Sequence, residues 1–512
     1  MPDAETTLTP ASDRRLQRLD DGVPALTVLW HPDPERVGDR FVLNPFLSGK
    51  SVALSRGEPR FAPPRGGAAR TLGHRRVSRR PLALRPAPDG GVDLDPSGSS
   101  TVVDVDGRPL TGVAHRERSA LERGVVVLLG NRIVLLLHLA ELDVPPPSGD
   151  GMVGAGAGIS GVRREIRRVA AGSDPVLLRG ETGTGKELVA RAIHRASVRC
   201  ERPYVAVNVG AIPGELAASE LFGSDRGAFT GAGRREGYLR RAAGGTLFLD
   251  EIGAAPDAVQ VALLRVLDRG EIQPVGAREA RRVDVRVVAA TDADLAASSF
   301  RRPLFYRLAG DTIEIPPLRA RRDDLGRLLL HFLREELPDA GAGRLDPPAD
   351  PDARSWMPAA LVARLASWDW PGNVRELRGV VRQLVSANLE RSEIAVPPAL
   401  GYLLESDSTA GADPVSPAPP RTSADVGADE LYATLRAERW SVRAAARRLG
   451  IPPTTAYRRI AEDPRIRKAS ELGRAEIEAA RKRCGDNRRQ MAEELEVSVR
   501  GLLRRLKELG LA

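Results

Sequence analysis

The chain has 512 residues with a net charge of +9, and 42% of its residues are hydrophobic. That length exceeds what one hydrophobic core supports, so three or four domains are expected. Cys200 and Cys484 are the only cysteines and lie far apart, which argues against a disulfide-stapled secreted protein and against a zinc site. The first residues include acids and no apolar signal segment, so we expect a cytoplasmic protein.

Hydropathy and charge also vary along the chain. The most apolar stretch, Val125 to Leu137, is interrupted by Gly130-Asn131-Arg132 and is too short to span a bilayer, so no membrane contact is predicted. Residues 428–512 hold 20 Lys and Arg against 13 Asp and Glu, which accounts for 7 of the net +9. This asymmetry indicates contact with nucleic acid or another anionic surface at the C-terminal end.

The N-terminal part has the pattern of a β protein. Residues 1–24 are predicted to be a polar tail, residues 25–143 an all-β sandwich, and residues 144–157 a linker rich in Pro, Gly and Ala. Short apolar runs separated by Gly, Pro and Asp are typical of such a sandwich. The predicted strands are Leu26–Trp30, Ser51–Leu54, Pro81–Leu84, Thr101–Val105, Val125–Leu129 and Ile133–Leu137.

The central part alternates helical and strand patterns. Residues 158–337 are predicted to form a parallel sheet with helices on both faces, an α/β core. Residues 338–400 are predicted to be a helical lid, and residues 401–427 a second linker. The predicted strands of the core are Val176–Arg179, Tyr204–Val209, Thr246–Asp250, Val283–Ala290 and Thr312–Ile315.

A phosphate-binding loop follows the first of these strands and opens a helix. Its glycines let consecutive backbone N–H groups turn toward phosphates, and Lys186 supplies a positive charge to the β and γ oxygens. The sequence therefore predicts ATP binding. The residues assigned to the nucleotide are Gly180, Glu181, Thr182, Gly183, Thr184, Gly185, Lys186 and Glu187.

Two further features of the core bear on its activity. Phe229 and Thr230 are flanked by glycines, which suits an exposed loop tip that contacts another molecule. Asp250 and Glu251 end an apolar strand downstream of the phosphate-binding loop. In that setting Asp250 is predicted to hold Mg²⁺, and Glu251 to polarise the attacking water.

The C-terminal part contains an internal repeat at an offset of 46 residues. Each copy is predicted to form helix, short turn, helix, with the first at residues 428–470 and the second at 471–512. The matching positions are Ala446, Leu449, Ile451, Arg458, Arg459 and Ile460 against Ala492, Leu495, Val497, Arg504, Arg505 and Leu506.

The ordered motifs over roughly residues 158–395 resemble AAA+ ATPases, and specifically the sigma-54-dependent transcriptional activators. In that family the Phe-Thr loop engages the sigma factor, and Glu is usual at position 187. The resemblance implies that Asn208 restrains Glu251 and that Arg301 and Arg307 act as arginine fingers on a neighbouring subunit. The residues that it assigns to sigma-54 contact are Gly227, Ala228, Phe229, Thr230, Gly231 and Ala232.

The resemblance also assigns residues that sense the nucleotide. Thr291-Asp292 occupies the sensor I position, where the family has Thr-Asn, so sensing falls to Asp292 or to Thr291. Arg375, in the segment Trp370 to Leu377, matches the sensor II arginine that reaches back to the nucleotide. The family works as a ring, so a hexamer is implied.

The two ends resemble further families. The C-terminal repeat is similar to Fis-type helix-turn-helix modules, which implies binding to upstream double-stranded DNA, although the second copy could instead mediate dimerisation. The implied DNA-binding residues are Thr454, Thr455, Tyr457, Arg458, Arg459, Ser498, Arg500, Arg504 and Arg505. The β region resembles a forkhead-associated domain. That resemblance implies a phosphothreonine protein or a Ser/Thr kinase as partner, bound by Arg56, Ser78 and Arg79, although Pro81 replaces the family's supporting His.

These inferences predict an activator that binds DNA and uses ATP hydrolysis to remodel RNA polymerase bound to sigma-54. One alternative is a DNA-binding regulator that uses ATP only to control its assembly state. A second is a AAA+ unfoldase or helicase, with which a helix-turn-helix pair does not fit.

Overall fold

A computed structural model describes residues 22–141, 150–225, 235–295, 300–347 and 355–403, together with parts of the C-terminal region. The described C-terminal residues are 428–437, 440, 442–449, 459–460, 463, 466, 472–484, 491–492, 494–497, 502 and 505–506. The chain divides into two compact units, residues 1–405 and 406–512, with each organised around its own buried side chains.

The N-terminal domain of the first unit is a sandwich of two antiparallel sheets, as predicted. Six strands pair in the order β2-β1-β10-β9-β6-β7, and four in the order β3-β4-β5-β8. Apolar side chains of both sheets, such as Leu26 and Leu84, meet in a common core. The elements are β1 Val23–Trp30, β2 Arg40–Val42, β3 Val52–Leu54, β4 Leu82–Pro86, β5 Val92–Asp95, β6 Val103–Val105, β7 Arg108–Pro109, β8 Ala114–Arg116, α1 Arg118–Arg123, β9 Val125–Leu129 and β10 Ile133–Ala140.

Strands β9 and β10 are apolar along their whole length because both of their faces are buried. Val127 and Leu135 point into the sandwich, whereas the alternate residues Val126 and Leu136 pack against helices of the lid described below. This arrangement explains the most apolar stretch of the sequence as two paired strands rather than a membrane span. None of the helices among the described residues is long and apolar enough to cross a membrane.

A five-stranded parallel sheet in the order β12-β13-β16-β11-β17 forms the α/β core, again as predicted. Its strands are buried on both faces; Leu247 packs on one side and Phe248 on the other. The elements are α2 Ala157–Ala170, β11 Val176–Arg179, α3 Lys186–Ala196, β12 Tyr204–Asn208, α4 Gly214–Phe222, α5 Tyr238–Arg241, β13 Thr246–Asp250, α6 Asp257–Arg269, β14 Glu271–Ile272, β15 Arg281–Arg282, β16 Arg286–Thr291, α7 Arg302–Leu308 and β17 Asp311–Glu314.

Three α-helices form the described part of the lid: α8 Leu325–Glu336, α9 Ala359–Ser367 and α10 Asn373–Asn388. Helix α8 lies before the predicted lid boundary at residue 338, but its apolar face packs with α9 and α10. Their apolar faces share one core with the outer face of the β domain, which contributes Leu29 and Trp30 of β1. At Gly326 the backbone of α8 comes so close to β1 that a Cβ atom would overlap the carbonyl oxygen of Leu29. The β domain is therefore packed directly on the lid.

All eleven predicted strands are present, with their ends displaced by up to three residues. Four strands of the β domain escaped prediction: β2, β5, β7 and β8. Each has only two to four residues, and charged side chains such as Arg40, Asp93 and Arg116 interrupt the apolar pattern. Pairing with longer neighbours determines their structure more than their own composition does.

The second unit is helical in its described parts, with α11 Ala428–Ala437, α12 Val442–Leu449 and α13 Arg474–Cys484. Two separate apolar clusters correspond to the two sequence copies. Ala446 and Leu449 lie in the first cluster, and their partners at the offset of 46, Ala492 and Leu495, lie in the second. The repeat is therefore structural as well as compositional.

Candidate active site

The loop between β11 and α3 has the shape of a phosphate cradle. Gly183 and Gly185 have φ angles of +82° and +104°, left-handed values that glycine adopts readily, and they turn the chain into the N-terminus of α3. The Lys186 ammonium donates hydrogen bonds to the carbonyl oxygens of Gly180 and Glu181, at 2.7 and 3.2 Å. A positive charge and helix N-terminal N–H groups are thus available to phosphate oxygens at one place.

Asp250 and Glu251 lie at the carboxyl end of β13, beside this loop. Burial raises the pKa of the Asp250 carboxyl and lowers that of the Lys186 ammonium, and the opposite charge of the other residue works against each shift. Glu251 has a φ of +54°, an uncommon value for a residue with a side chain. Its N–H donates to Asp250 Oδ1 at 3.1 Å, which fixes the two acids relative to each other.

Asp250 and Glu251 alone do not supply enough ligands for a metal ion. Among the residues that the structure describes, no group of three or more His, Cys, Asp and Glu side chains could hold a metal ion. Asp250 could therefore hold Mg²⁺ only together with phosphate oxygens and water, which is the usual way proteins bind this ion. The donor set fits a nucleotide-bound Mg²⁺.

Asn208 lies next to Asp250 in the sheet. The parallel pairing of β12 with β13 places Asn208 opposite Asp250. The Asn208 side-chain oxygen accepts the N–H of Ala211 at 3.1 Å. A Cβ atom at Gly210 would overlap the Glu251 carboxylate and would lie 3.4 Å from Asn208 Oδ1. Asn208 and Glu251 therefore both border Gly210.

At the sensor I position, Asp292 and Thr291 face different partners. The Thr182 hydroxyl of the phosphate-binding loop donates to the Asp292 carboxylate at 2.8 Å. Thr291 is buried, and its hydroxyl accepts the N–H of Ala293 at 3.0 Å. Of the two residues proposed for sensing, Asp292 is thus the one in contact with the loop.

The lid reaches the phosphate-binding loop through Asn373, a contact that sequence reasoning missed. The buried Asn373 amide donates to Glu181 Oε2 and to the Thr182 carbonyl oxygen, both at 3.1 Å. Its side-chain oxygen accepts the N–H of Leu318 at 2.8 Å. The sequence offered only one signal, a residue of cap type at the start of the sensor II helix.

Two arginines before α8 also bind the loop and were not predicted. Arg319 pairs with the Glu181 carboxylate at 2.8 Å, and buried Arg321 donates to the Thr184 carbonyl oxygen at 3.2 Å. Arg375, the predicted sensor II residue, donates its backbone N–H to the Gly183 carbonyl oxygen at 3.3 Å. The pKa of Lys186 is lowered mainly by burial, and the positive charge of Arg375 acts in the same direction.

The two arginines assigned to the finger role lie at α7, away from these contacts. Arg301 is 3.7 Å from Asp257, and Arg307 is 2.7 Å from Asp268; both acids belong to the neighbouring helix α6. Both arginine side chains are about half exposed. They lie on a solvent-facing surface of the core.

The segment 227–232 lies outside the described residues, but its two flanks are described. Ser224 and Arg235 exchange backbone hydrogen bonds at 3.0 and 2.9 Å, so the chain leaves and returns at the same point. Gly223 and Gly237 are in such close backbone contact that a Cβ atom on Gly237 would overlap Gly223. We call these two paired flanks the stem. The stem also contacts the loop between β14 and β15, because the Val275 N–H donates to the Gly223 carbonyl oxygen at 2.8 Å.

The predicted residues Arg56, Ser78 and Arg79, which come from two loops of the β domain, line one cavity of about 580 Å³. Ser78 Oγ accepts the hydroxyl of Ser100 at 3.0 Å. Three residues that prediction missed, Arg75, Arg76 and Asn131, line the same cavity. Asn131 was noted only as part of a turn, because nothing in its local sequence indicates that β9 and β10 carry that turn to this cavity.

Most of the residues assigned to DNA lie outside the described part of the chain. Arg459 and Arg505 are described, and Arg505 donates to the Leu472 carbonyl oxygen at 3.0 Å within its own unit. Outside the described residues are Thr454, Thr455, Tyr457, Arg458, Ser498, Arg500 and Arg504.

Three protein-family models match the chain in succession. A sigma-54 interaction domain covers residues 152–314, an AAA+ ATPase lid domain 319–408, and a bacterial regulatory protein of the Fis family 424–462. Together they span the α/β core, the lid and the first C-terminal repeat. The expected AAA+ architecture and a Fis-type helix-turn-helix are therefore confirmed.

Curated relatives agree with these matches. The chain is 44% identical to the transcriptional regulatory protein ZraR of Escherichia coli K12 over 49% of this chain and 56% of that protein, so it spans little more than half of that relative. It is 40% identical to ZraR of Klebsiella oxytoca over 60% of this chain and 68% of the relative. It is 37% identical to the DNA-binding transcriptional regulator NtrC of Salmonella typhimurium LT2 over 72% of each chain. The chain belongs to the family of sigma-54-dependent transcriptional activators.

Proposed function

We propose that the protein uses ATP hydrolysis to remodel RNA polymerase bound to sigma-54, so that a closed promoter complex opens. The observation that carries this proposal is the connection between the catalytic acids and the stem of segment 227–232. The Glu251 carboxylate is packed against Gly210, and α4 begins four residues later and ends at Phe222, next to the stem. A nine-residue helix is about 13 Å long, so a shift at Glu251 has a short, rigid route to the sigma-54 contact.

The chemistry follows from the side chains around the loop. Lys186 and Arg375 would bind the phosphates, and Asp250 would help to hold a nucleotide-bound Mg²⁺, whose charge would favour phosphoryl transfer. Glu251 orients and polarises the attacking water, while Asn208 restrains that carboxylate until the partner is engaged. The half-buried, opposed charges of Asp250 and Lys186 support this assignment because polar groups that are partly withdrawn from water act more strongly on a substrate.

Assembly supplies the remaining positive charge. In a ring, proposed to be a hexamer, Arg301 or Arg307 of one subunit would enter the nucleotide site of the next and stabilise the phosphoryl transition state. Their half-exposed positions on α7 support a role outside their own subunit. Hydrolysis would then depend on assembly.

The second unit holds the ring at an upstream DNA site. Its excess of Lys and Arg favours contact with phosphates, and the Fis-type match covers its first repeat. We assign DNA contact to both repeats through the residues proposed from sequence. The ring would thereby be concentrated near the promoter whose polymerase it remodels.

The β domain is proposed to sense a phosphothreonine on a partner protein or kinase. Four arginines, at positions 56, 75, 76 and 79, and two serines, at 78 and 100, line its cavity. A phosphorylated side chain carries nearly two negative charges and three acceptor oxygens, which matches such a set of donors. Although the supporting His of forkhead-associated domains is replaced by Pro81, the charges needed for an anion are present.

Substitution of Thr230 by Ala tests the coupling role of the loop. Because Thr230 lies away from Lys186, Asp250 and Glu251 in sequence and motif, T230A should keep ATPase activity and lose promoter opening by sigma-54 polymerase. Normal opening by this variant would contradict the assignment. ATPase activity without any opening by the unaltered chain would favour the alternative, a DNA-binding regulator that uses ATP only to control assembly.

A further inference from the structure

The arginine-lined cavity of the β domain adjoins a second cavity that is shared with the lid. The second cavity has a volume of about 350 Å³ and lies between Trp30 and Pro32 on one side and Pro358 and Ala360 of the lid on the other. Both cavities border Arg76, Gly130 and Asn131. The two cavities are therefore adjacent, and we call the three residues that they share the ridge between them.

At the ridge the backbone of Gly130 lies close to that of Arg76. Gly130 has a φ of +54°, and a Cβ atom there would lie 2.6 Å from the Arg76 carbonyl oxygen. The Gly130 N–H donates to the Val102 carbonyl oxygen at 2.8 Å, which fixes the turn between β9 and β10.

The two sides of the ridge differ in chemistry. The first cavity offers four arginines and two serine hydroxyls, which suit one phosphomonoester group. The second cavity combines apolar surface from Trp30, Pro32, Pro358 and Ala360 with the charged residues Arg76, Arg132 and Glu393, so it offers apolar contact to an uncharged side chain of the same ligand. A concave anion pocket beside a cleft of this mixed character fits a phosphorylated peptide better than a nucleic acid, which needs an extended basic surface.

We infer that a phosphorylated protein segment binds across both cavities, with its phosphate among Arg56 and Arg79 and its flanking residues against the N-terminus of α9. The lid is then part of the binding site for the signal. This inference rests on the proposed phosphothreonine binding and adds that the β domain and the lid read the ligand jointly. A bound segment would thus contact the same lid whose α10 carries Asn373 and Arg375 to the phosphate-binding loop.

A pool of nine-residue peptides with a fixed central phosphothreonine and randomised flanks, applied to the full chain, provides the test. The tightest member is compared with its own three-residue core and with its unphosphorylated form, by calorimetry or fluorescence anisotropy. We expect the nine-residue peptide to bind at least about tenfold tighter than the core, the effect of burying one or two apolar side chains. The unphosphorylated form should not bind.

Two pairs of variants separate the two cavities. Ala360→Glu places a charge at the exposed lid wall and should abolish the gain from the longer peptide while leaving binding of the core within about twofold. Gln383→Glu, which adds the same charge on the exposed face of α10, is the control. Arg79→Ala should abolish binding of both peptides, whereas Arg80→Ala, at a neighbouring residue that does not line the cavity, should not.

The outcomes distinguish the two claims. If core and long peptide bind equally, or if Ala360→Glu has no effect on the long peptide, the shared site is wrong while phosphothreonine binding stands. If no phosphopeptide binds, or if the phosphorylated and unphosphorylated peptides bind equally well, both claims fail. Added protection of the α9 N-terminus from hydrogen exchange with the long peptide, but not with the core, would support the shared site in a measurement independent of affinity.

Discussion

Arg40 of the β domain and Asp323 before the lid helix α8 form an ion pair at 2.7 Å, although they are 283 residues apart. The side chains are only 18% and 10% exposed. The neighbouring Asp324 is buried and accepts the N–H groups of Ala155 and Gly156 at 2.7 and 2.8 Å. Two residues before Asp323, Arg321 binds the phosphate-binding loop. This short segment therefore joins the β domain, the region preceding α2 and the nucleotide site.

Asp323→Asn should weaken the attachment of the β domain. The variant keeps the shape of the side chain but leaves a poorly solvated Arg40 without its counter-charge, which should cost about 1–3 kcal/mol in unfolding free energy. Denaturant titration of the full chain measures the loss. Glu165→Gln removes a similarly short pair with Arg168, at 2.8 Å, in which both side chains are exposed, and should cost under about 0.5 kcal/mol. Equal effects of the two variants would contradict a special role for Asp323.

The buried His138 should make the β domain sensitive to acid. Burial, aided by the charge of Arg40, lowers the pKa of His138 to about 3, below its ordinary value of 6.5. As the pH falls below 6.5 the unfolded chain takes up a proton that the folded chain does not, so stability present above pH 6.5 is lost toward pH 3. Between pH 7.5 and 5, His138→Gln should therefore lose about 2 kcal/mol less unfolding free energy than the unaltered chain does. If the two proteins lose the same unfolding free energy over this range, this account is contradicted.

Asn373→Gly should impair nucleotide binding without straining the backbone. Asn373 has a φ of +52°, which glycine tolerates, while the substitution removes three hydrogen bonds to the phosphate-binding loop and to Leu318. We expect affinity for a fluorescent ATP analogue to fall about tenfold. Val385→Ala, in the buried face of the same helix, should lower stability without this loss of affinity. If Val385→Ala lowers the affinity as much as Asn373→Gly does, the role of Asn373 is purely structural.

Asp292→Asn should strengthen ATP binding. The carboxylate that accepts the Thr182 hydroxyl is close enough to the loop to repel a triphosphate, and an amide removes that charge while keeping an acceptor. An increase in ATP affinity of about 3- to 10-fold is expected in equilibrium titrations. Asp294→Asn, at an exposed neighbouring acid, is the control. Weaker binding by Asp292→Asn would show that the carboxylate helps to hold the nucleotide or its metal ion.

Sequence motifs predict contacts between residues that are close in sequence, or that parallel strands bring to the same edge of a sheet. Lys186 and Asp250 belong to this class, because Lys186 begins the helix after β11, Asp250 ends β13, and both strands pair with β16. Apolar runs likewise locate β9 and β10. The sequence-derived cavity residues Arg56, Ser78 and Arg79 also converge, because they lie in loops at one end of the sandwich.

Contacts between domains could not be predicted from the sequence. Nothing local to Arg40 or Asp323 indicates that they meet, since each resembles an ordinary surface charge in a polar segment. The double-sided burial of β9 was equally hidden, because an apolar strand does not reveal which element covers its second face. Asn373 could be identified as a cap residue, but its partners Glu181 and Leu318 depend on how the lid closes on the core.

The most direct test of the proposed function is ATP-dependent open-complex formation by purified sigma-54 RNA polymerase at a promoter with the cognate upstream site. The unaltered chain should open the promoter with ATP and not without it. Glu251→Gln should bind ATP but release no phosphate and open no promoter, because the water-polarising carboxylate is lost. Phosphate release by Glu251→Gln at the unaltered rate would overturn the role of Glu251. ATP hydrolysis by the unaltered chain with no opening would contradict the account as a whole.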